Sequence, residues 1–130
     1  MSAGSITGRG GIHSNTMKTI IAGSRNAEIS MNRLMEIIEL AGIPITEVVS
    51  GNSGNIDKLG EQWAKGMKLP ITQFNASWQA YGSSAGPRRN RQMADYAEAL
   101  IAIWDGKSRG TLNMIKEATK RELTVYVMQI

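Results

Sequence analysis

The chain has 130 residues, 42% of them hydrophobic, with 15 Lys or Arg against 11 Asp or Glu and a formal net charge of +4. That length suits one domain with one core, and the apolar content is too high for a chain that stays unfolded. No apolar run approaches the ~20 residues of a membrane-spanning helix, and the absence of cysteine excludes disulfides and thiolate metal sites. A soluble cytoplasmic protein is expected, since the opening residues lack the apolar stretch of a secretory signal.

Residues 1–16 are rich in Gly, Ser and Thr and have no periodicity, so they read as a flexible or partner-dependent extension ahead of a single domain over 17–130. The only histidine, His13, falls in this extension without metal-binding partners. No metal or other cofactor is expected.

Met17 to Gly23 is a short apolar run and reads as the first strand. From Ala27 to Ala41, the positions of Met31, Leu34, Met35 and Ile38 follow helical spacing, with Gly42 and Pro44 as stop signals. Ile45 to Ser50 reads as a second strand. Asp57 to Lys68 reads as a helix presenting Leu59, Trp63 and Met67, and Pro70 to Asn75 as a third strand. Ser77 to Pro87 reads as a long connection, followed by a helix from Asn90 to Ala97 and a fourth strand from Ala99 to Ile103. A helix after Gly110 and a fifth strand, Leu123 to Met128, complete the pattern. The eight methionines mostly fall at core positions.

Strands alternating with helices imply a Rossmann-like, doubly wound α/β fold: a parallel sheet of about five strands in the order 3-2-1-4-5, covered on both faces. Ligands of such sheets bind at the carboxyl ends of the strands where the order reverses. Here that point lies between the first and fourth strands, and three polar loops surround it. Gly23, Ser24 and Arg25 follow the first strand, offering close backbone approach, a hydroxyl and a forked phosphate donor. Ser50, Gly51, Asn52 and Asp57 follow the second. Small polar residues there suit an anion-binding concavity, and Asp57 suits either a ribose diol or the N-cap of a helix. Asp105, Gly106, Ser108, Arg109, Gly110 and Thr111 follow the fourth, where a helix N-terminus favours phosphate. Gly106-Lys-Ser108 looks like the end of a P-loop, but Ile101 stands where that motif needs glycine. Trp78 and Tyr81, in the long connection, are either packing residues or stacking partners for a planar ring.

Together, Ile20-Ile-Ala-Gly-Ser-Arg25, Val48-Val-Ser-Gly51 with Asp57, Trp63-Ala64, Ala85-Gly-Pro-Arg-Arg-Asn-Arg-Gln-Met93 and Trp104-Asp-Gly-Lys-Ser-Arg-Gly-Thr111 resemble the YspA-type, YpsA-related branch of the SLOG superfamily. The resemblance spans residues 17–130. It implies a Rossmann-like fold that binds nucleotide-derived ligands such as ADP-ribose. Relatives include the LOG phosphoribohydrolases, the ligand-sensing domains of bacterial antiviral effectors and the DNA-processing protein DprA. The Arg-Lys-x-x-Met segment of the LOG enzymes corresponds to Arg89-Asn90-Arg91-Gln92-Met93, which keeps the arginine and loses the lysine. Their Pro-Gly-Gly-x-Gly-Thr-x-x-Glu segment corresponds to Asp105 to Met114, which keeps Gly110 and Thr111. Met114 stands at the catalytic glutamate position, and a thioether cannot act as a carboxylate does. Glycosidic hydrolysis of that type is therefore disfavoured unless Asp57 or Asp105 substitutes.

The expected function is non-catalytic sensing or sequestration of a nucleotide-derived signal such as ADP-ribose or cyclic ADP-ribose. Arg25, Arg89 and Arg109 would hold phosphates, with Asn90 beside them. Asn52 and Asp57 would hold a ribose, and Trp78 or Tyr81 would cover a base. The alternatives are a nucleotide hydrolase and a single-stranded nucleic-acid binder, the latter suggested by the positive charge. A homo-oligomer is expected, because so small a domain has little surface with which to enclose a ligand.

Overall fold

The structure, a computed structural model, describes residues 5–7 and 16–130. Its elements run β1 (Ser5–Thr7), β2 (Met17–Gly23), α1 (Met31–Ala41), β3 (Ile45–Ser50), α2 (Asn55–Gly66), β4 (Ile71–Gln73), α3 (Trp78–Tyr81), a 3-10 turn (Gly82–Ser84), α4 (Ala85–Tyr96), β5 (Ala99–Trp104), α5 (Arg109–Lys120) and β6 (Thr124–Gln129). The sheet order is β1-β6-β5-β2-β3-β4. From β2 onward every pairing is parallel, which is the doubly wound 3-2-1-4-5 order with β2 as the first strand.

The sixth strand corrects part of the sequence reading. β1 lies inside the segment expected to be a flexible or partner-dependent extension, yet it pairs antiparallel with β6, Ile6 opposite Tyr126. Residues 1–4 and 8–15 of that extension, His13 included, lie outside the described residues.

Two apolar layers hold the sheet. On one face Leu34, Ile37 and Ala41 of α1 and Ile56 and Ala64 of α2 pack on Ile21, Val48, Ile101, Ile103, Tyr126 and Met128. On the other, Met93 and Ala94 of α4 and Met114 and Ala118 of α5 pack on Ile20, Val49, Leu100, Ala102 and Val125. The central strand β5 is covered on both sides, and its residues 99–103 are fully buried. That is why its sequence is an unbroken apolar run and not an alternation.

The helices differ from the sequence reading at their ends. Helix α1 starts at Met31, four residues late, because the Ser30 hydroxyl accepts from the Arg33 amide and caps it there. Its buried face carries Ile37, and Met35 is 48% exposed. Met67, expected on one side of α2 with Leu59 and Trp63, is 57% exposed as its C-cap, whereas Met17, Met93, Met114 and Met128 are buried and Met31 packs against the core. The connection from Ser77 to Pro87 is largely helical: α3, the 3-10 turn and the first turn of α4 occupy it. Pro87 falls in that first turn, where its missing amide hydrogen has no intrahelical acceptor to lose.

Candidate functional site

The ends of β2 and β5 are neighbours, with Gly23 opposite Ile103. The two loops that follow them are stitched together. The Ser24 amide donates to the Ile103 carbonyl (3.0 Å), and the buried Ser24 hydroxyl accepts from the Asp105 amide (3.0 Å). Gly23 leaves space that no other residue would. A Cβ there would stand 2.6 Å from Ile56 Cγ1 and 2.8 Å from the Ile103 carbonyl oxygen, so the start of α2 can press against the tip of β2. Gly54 similarly lets the second loop pack on the backbone of Arg25, which a Cβ would approach to 3.2 Å.

The third loop is shaped internally. The Asp105 carboxylate accepts from the amides of Lys107 and Ser108 (both 2.8 Å), Gly106 takes a left-handed φ of +81°, and the Trp104 indole donates to the Ser108 carbonyl (3.0 Å). Ser108 then caps α5, its hydroxyl accepting from the Thr111 amide. These contacts aim the first turn of α5 across the tip of β2.

Between the loops lies a cleft of about 180 Å³, lined by Ala22, Gly23, Arg25, Ser53, Asp57, Arg89, Asn90, Met93, Ser108, Gly110, Thr111 and Met114. The starts of α2 and α5 open onto it, and α4 presents its second and third turns. Arg89 reaches in from α4, its Nη1 donating to the Gly51 carbonyl (2.6 Å) and its Nε to Asn90 Oδ1 (3.0 Å). Asn90 is buried and bridges α4 to α5, donating to the Gly110 carbonyl (3.2 Å) and Asn113 Oδ1 (2.8 Å).

The electrostatics favour an anion. Among the described residues no carboxylate forms an ion pair with Arg25 or Arg89. Burial holds the Arg89 pKa below its ordinary value; Asp57 acts in the opposite sense, and Arg25 lowers it further. Asp57 is the acid inside the cleft, and burial pushes its carboxyl above the ordinary carboxylate value, against the pull of the Ser53 backbone and hydroxyl donors and of Arg89. The cleft is therefore lined by two arginines and by a carboxyl whose negative charge burial disfavours, with the N-terminal residues of α5 beside them. A phosphate or similar oxyanion fits that balance.

Of the residues singled out from sequence, Gly23, Arg25, Asp57, Arg89, Asn90, Ser108, Gly110 and Thr111 line the cleft. The others do not. Ser50 is buried, donating to Glu61 (2.6 Å), and Gly51 offers its carbonyl to Arg89. Asn52 turns away to Asn75 (3.1 Å). Ser24, Asp105 and Gly106 build the loops, as described above. Arg109 is exposed at the start of α5, outside the lining, so the expected trio of arginines is a pair. Trp78 and Tyr81 are each 49% exposed and also lie outside it. Asp57 does not cap α2: Gly54 holds the N-cap position without a side-chain bond, and Asp57 Oδ2 takes the Ser53 amide (2.9 Å) and hydroxyl (3.1 Å).

Sequence reasoning passed over Ala22, Ser53 and Met93, and gave Met114 no part in the lining. A signal existed for two of them. Ser53 sits in the second polar loop, and Met93 follows Asn90 by three residues on one helical face. Comparison of the chain with known protein families, curated proteins and solved structures gave no match. Among the described residues, no helix is long and apolar enough to cross a membrane, and no group of His, Cys, Asp and Glu could hold a metal ion.

Proposed function

We infer that the chain binds a nucleotide-derived small molecule through its phosphate and leaves it intact. ADP-ribose or a cyclised form of it is the reading that combines this cleft with the sequence resemblance to the SLOG superfamily. The observation that carries the inference is the convergence of Arg25 and Arg89, with no ion-paired carboxylate among the described residues, on one cleft at the reversal of strand order. Phosphates favour such a place because charged donors and the positive ends of helices act on the same oxygens. Met114 supports binding over cleavage. It is 1% exposed in the cleft floor, where the resemblance would put a catalytic carboxylate, and it offers no proton chemistry.

Calorimetry with ADP-ribose, cyclic ADP-ribose and NAD tests the reading. Saturable heat from at least one, with the ligand recovered unchanged by chromatography, is the expected result. No heat from any of them overturns it.

One observation favours a second reading, a nucleotide hydrolase. Asp57 is a buried carboxyl with a raised pKa facing the same cleft, and such a group suits general acid or base work. Cleaved ligand in the chromatogram, lost in Asp57→Asn, would establish that reading in place of the first.

A further inference from the structure

The cleft is too small for a whole nucleotide. Its volume of about 180 Å³ falls below the roughly 300–1,000 Å³ of sites that enclose an entire drug-sized ligand. A phosphate with its ribose fills it, and a base attached to that ribose must lie outside, on whatever surface borders the cleft.

One border carries an aromatic ring. Trp78 is half exposed, whereas Trp63 packs against the core and the Trp104 indole is bonded to the Ser108 carbonyl. Trp78 leans on the start of α4, its Cη2 lying 3.4 Å from the place a Cβ would take on Gly86. Gly86, Arg89 and Asn90 stand at i, i+3 and i+4, so they share one face of α4. The indole thus lies about one helical turn, ~5.4 Å along the axis, beyond Arg89 and Asn90, the first of the three α4 residues that line the cleft. Tyr81 is a weaker platform, since the Arg88 guanidinium already sits 4.1 Å from its ring centroid.

We propose that Trp78 is the stacking platform for the base of the bound nucleotide, and that it selects nucleoside phosphates over sugar phosphates. This rests on the phosphate reading of the cleft. The cleft holds the phosphate and ribose. The base leaves past Arg89 along α4 and lies against the indole, where any purine or pyrimidine gains stacking energy regardless of its hydrogen-bonding edge.

The test compares ribose 5-phosphate, which fills only the cleft, with AMP, which adds a base. Both are titrated calorimetrically into the wild-type chain, Trp78→Leu and Trp78→Phe, with circular dichroism to verify folding. The wild type should bind AMP more tightly than ribose 5-phosphate, and AMP alone should change the indole fluorescence. Trp78→Leu should weaken AMP about 5- to 150-fold, the range for loss of one base–aromatic stack, with ribose 5-phosphate shifted less than about twofold. Trp78→Phe should recover part of the loss. Equal wild-type affinity for the two ligands overturns the platform and leaves the phosphate reading standing. Equal weakening of both in Trp78→Leu overturns it too, because the residue would then be supporting the fold. If neither ligand binds the wild type, the phosphate reading itself falls and takes the platform with it.

Discussion

Gly51→Ala is the sharpest probe of how Arg89 is aimed. A Cβ on residue 51 would stand 2.7 Å from Arg89 Nη1 and 2.9 Å from its Cζ. The methyl group and the guanidinium cannot both keep their places. The side chain yields more easily than the backbone, so Arg89 swings away and its 2.6 Å bond to the Gly51 carbonyl is lost. A hydrogen bond to a charged group contributes about 1.5–3 kcal/mol, and replacing Gly by Ala returns about 0.4–1 kcal/mol through the unfolded chain. The net destabilisation is about 1–2 kcal/mol, a drop of the order of 5 °C in Tm. Binding suffers more. A phosphate in the cleft loses one charged donor, again about 1.5–3 kcal/mol, which is a roughly 10- to 150-fold rise in Kd. Urea unfolding measures the first effect, and calorimetry with ADP-ribose, at a temperature where the variant is folded, measures the second. If the variant binds as tightly as the wild type, Arg89 is not held for the ligand and the reasoning fails.

Other consequences follow from the same contacts. Phosphate or sulfate should raise the wild-type Tm as binding to the native state requires, and Arg89→Met should abolish most of that rise. Burial raises the folded pKa of Asp57 above the ordinary value of 3.8, so the stability it contributes is complete below 3.8 and is lost as the pH climbs through the folded value. The Tm of Asp57→Asn minus that of the wild type should therefore grow from pH 4 to pH 7; a difference that stays flat contradicts the burial argument. Gly23→Ala should cost about 1–3 kcal/mol or more in urea unfolding, since its Cβ meets Ile56 and a β5 carbonyl and neither can retreat cheaply. Ser108→Ala, which uncaps α5 at the mouth of the cleft, should cost about 1 kcal/mol by thermal melting.

Much of the fold was legible because its signals are local. Apolar runs of strand length gave β2, β3, β5 and β6, and the chirality of crossovers between parallel strands then restricted the order. What escaped was set elsewhere. β1 is a three-residue strand with no pattern of its own, made a strand by the open edge of β6. The ends of α1 and α4 depend on a cap at Ser30 and on how a proline fits a first helical turn. On α1, Leu34 is buried and Met31 and Ile38 pack against the core as their spacing suggests, whereas the burial of Ile37 in place of Met35 depends on the sheet beneath it.

The sequence by itself determined which chain turns would gather at the carboxyl ends of the strands, because alternating strands and helices leave only one such rim. It also supplied those turns with arginine, glycine and hydroxyl groups. Only the tertiary structure decided which groups face inward. Gly51 and Arg89 stand far apart in the chain, and one closes on the other only when α4 lies beside the loop after β3. Likewise Arg109 is one residue from two cleft residues yet faces water. A helix rotates each successive side chain by about 100°, so neighbours in sequence need not share a direction in space.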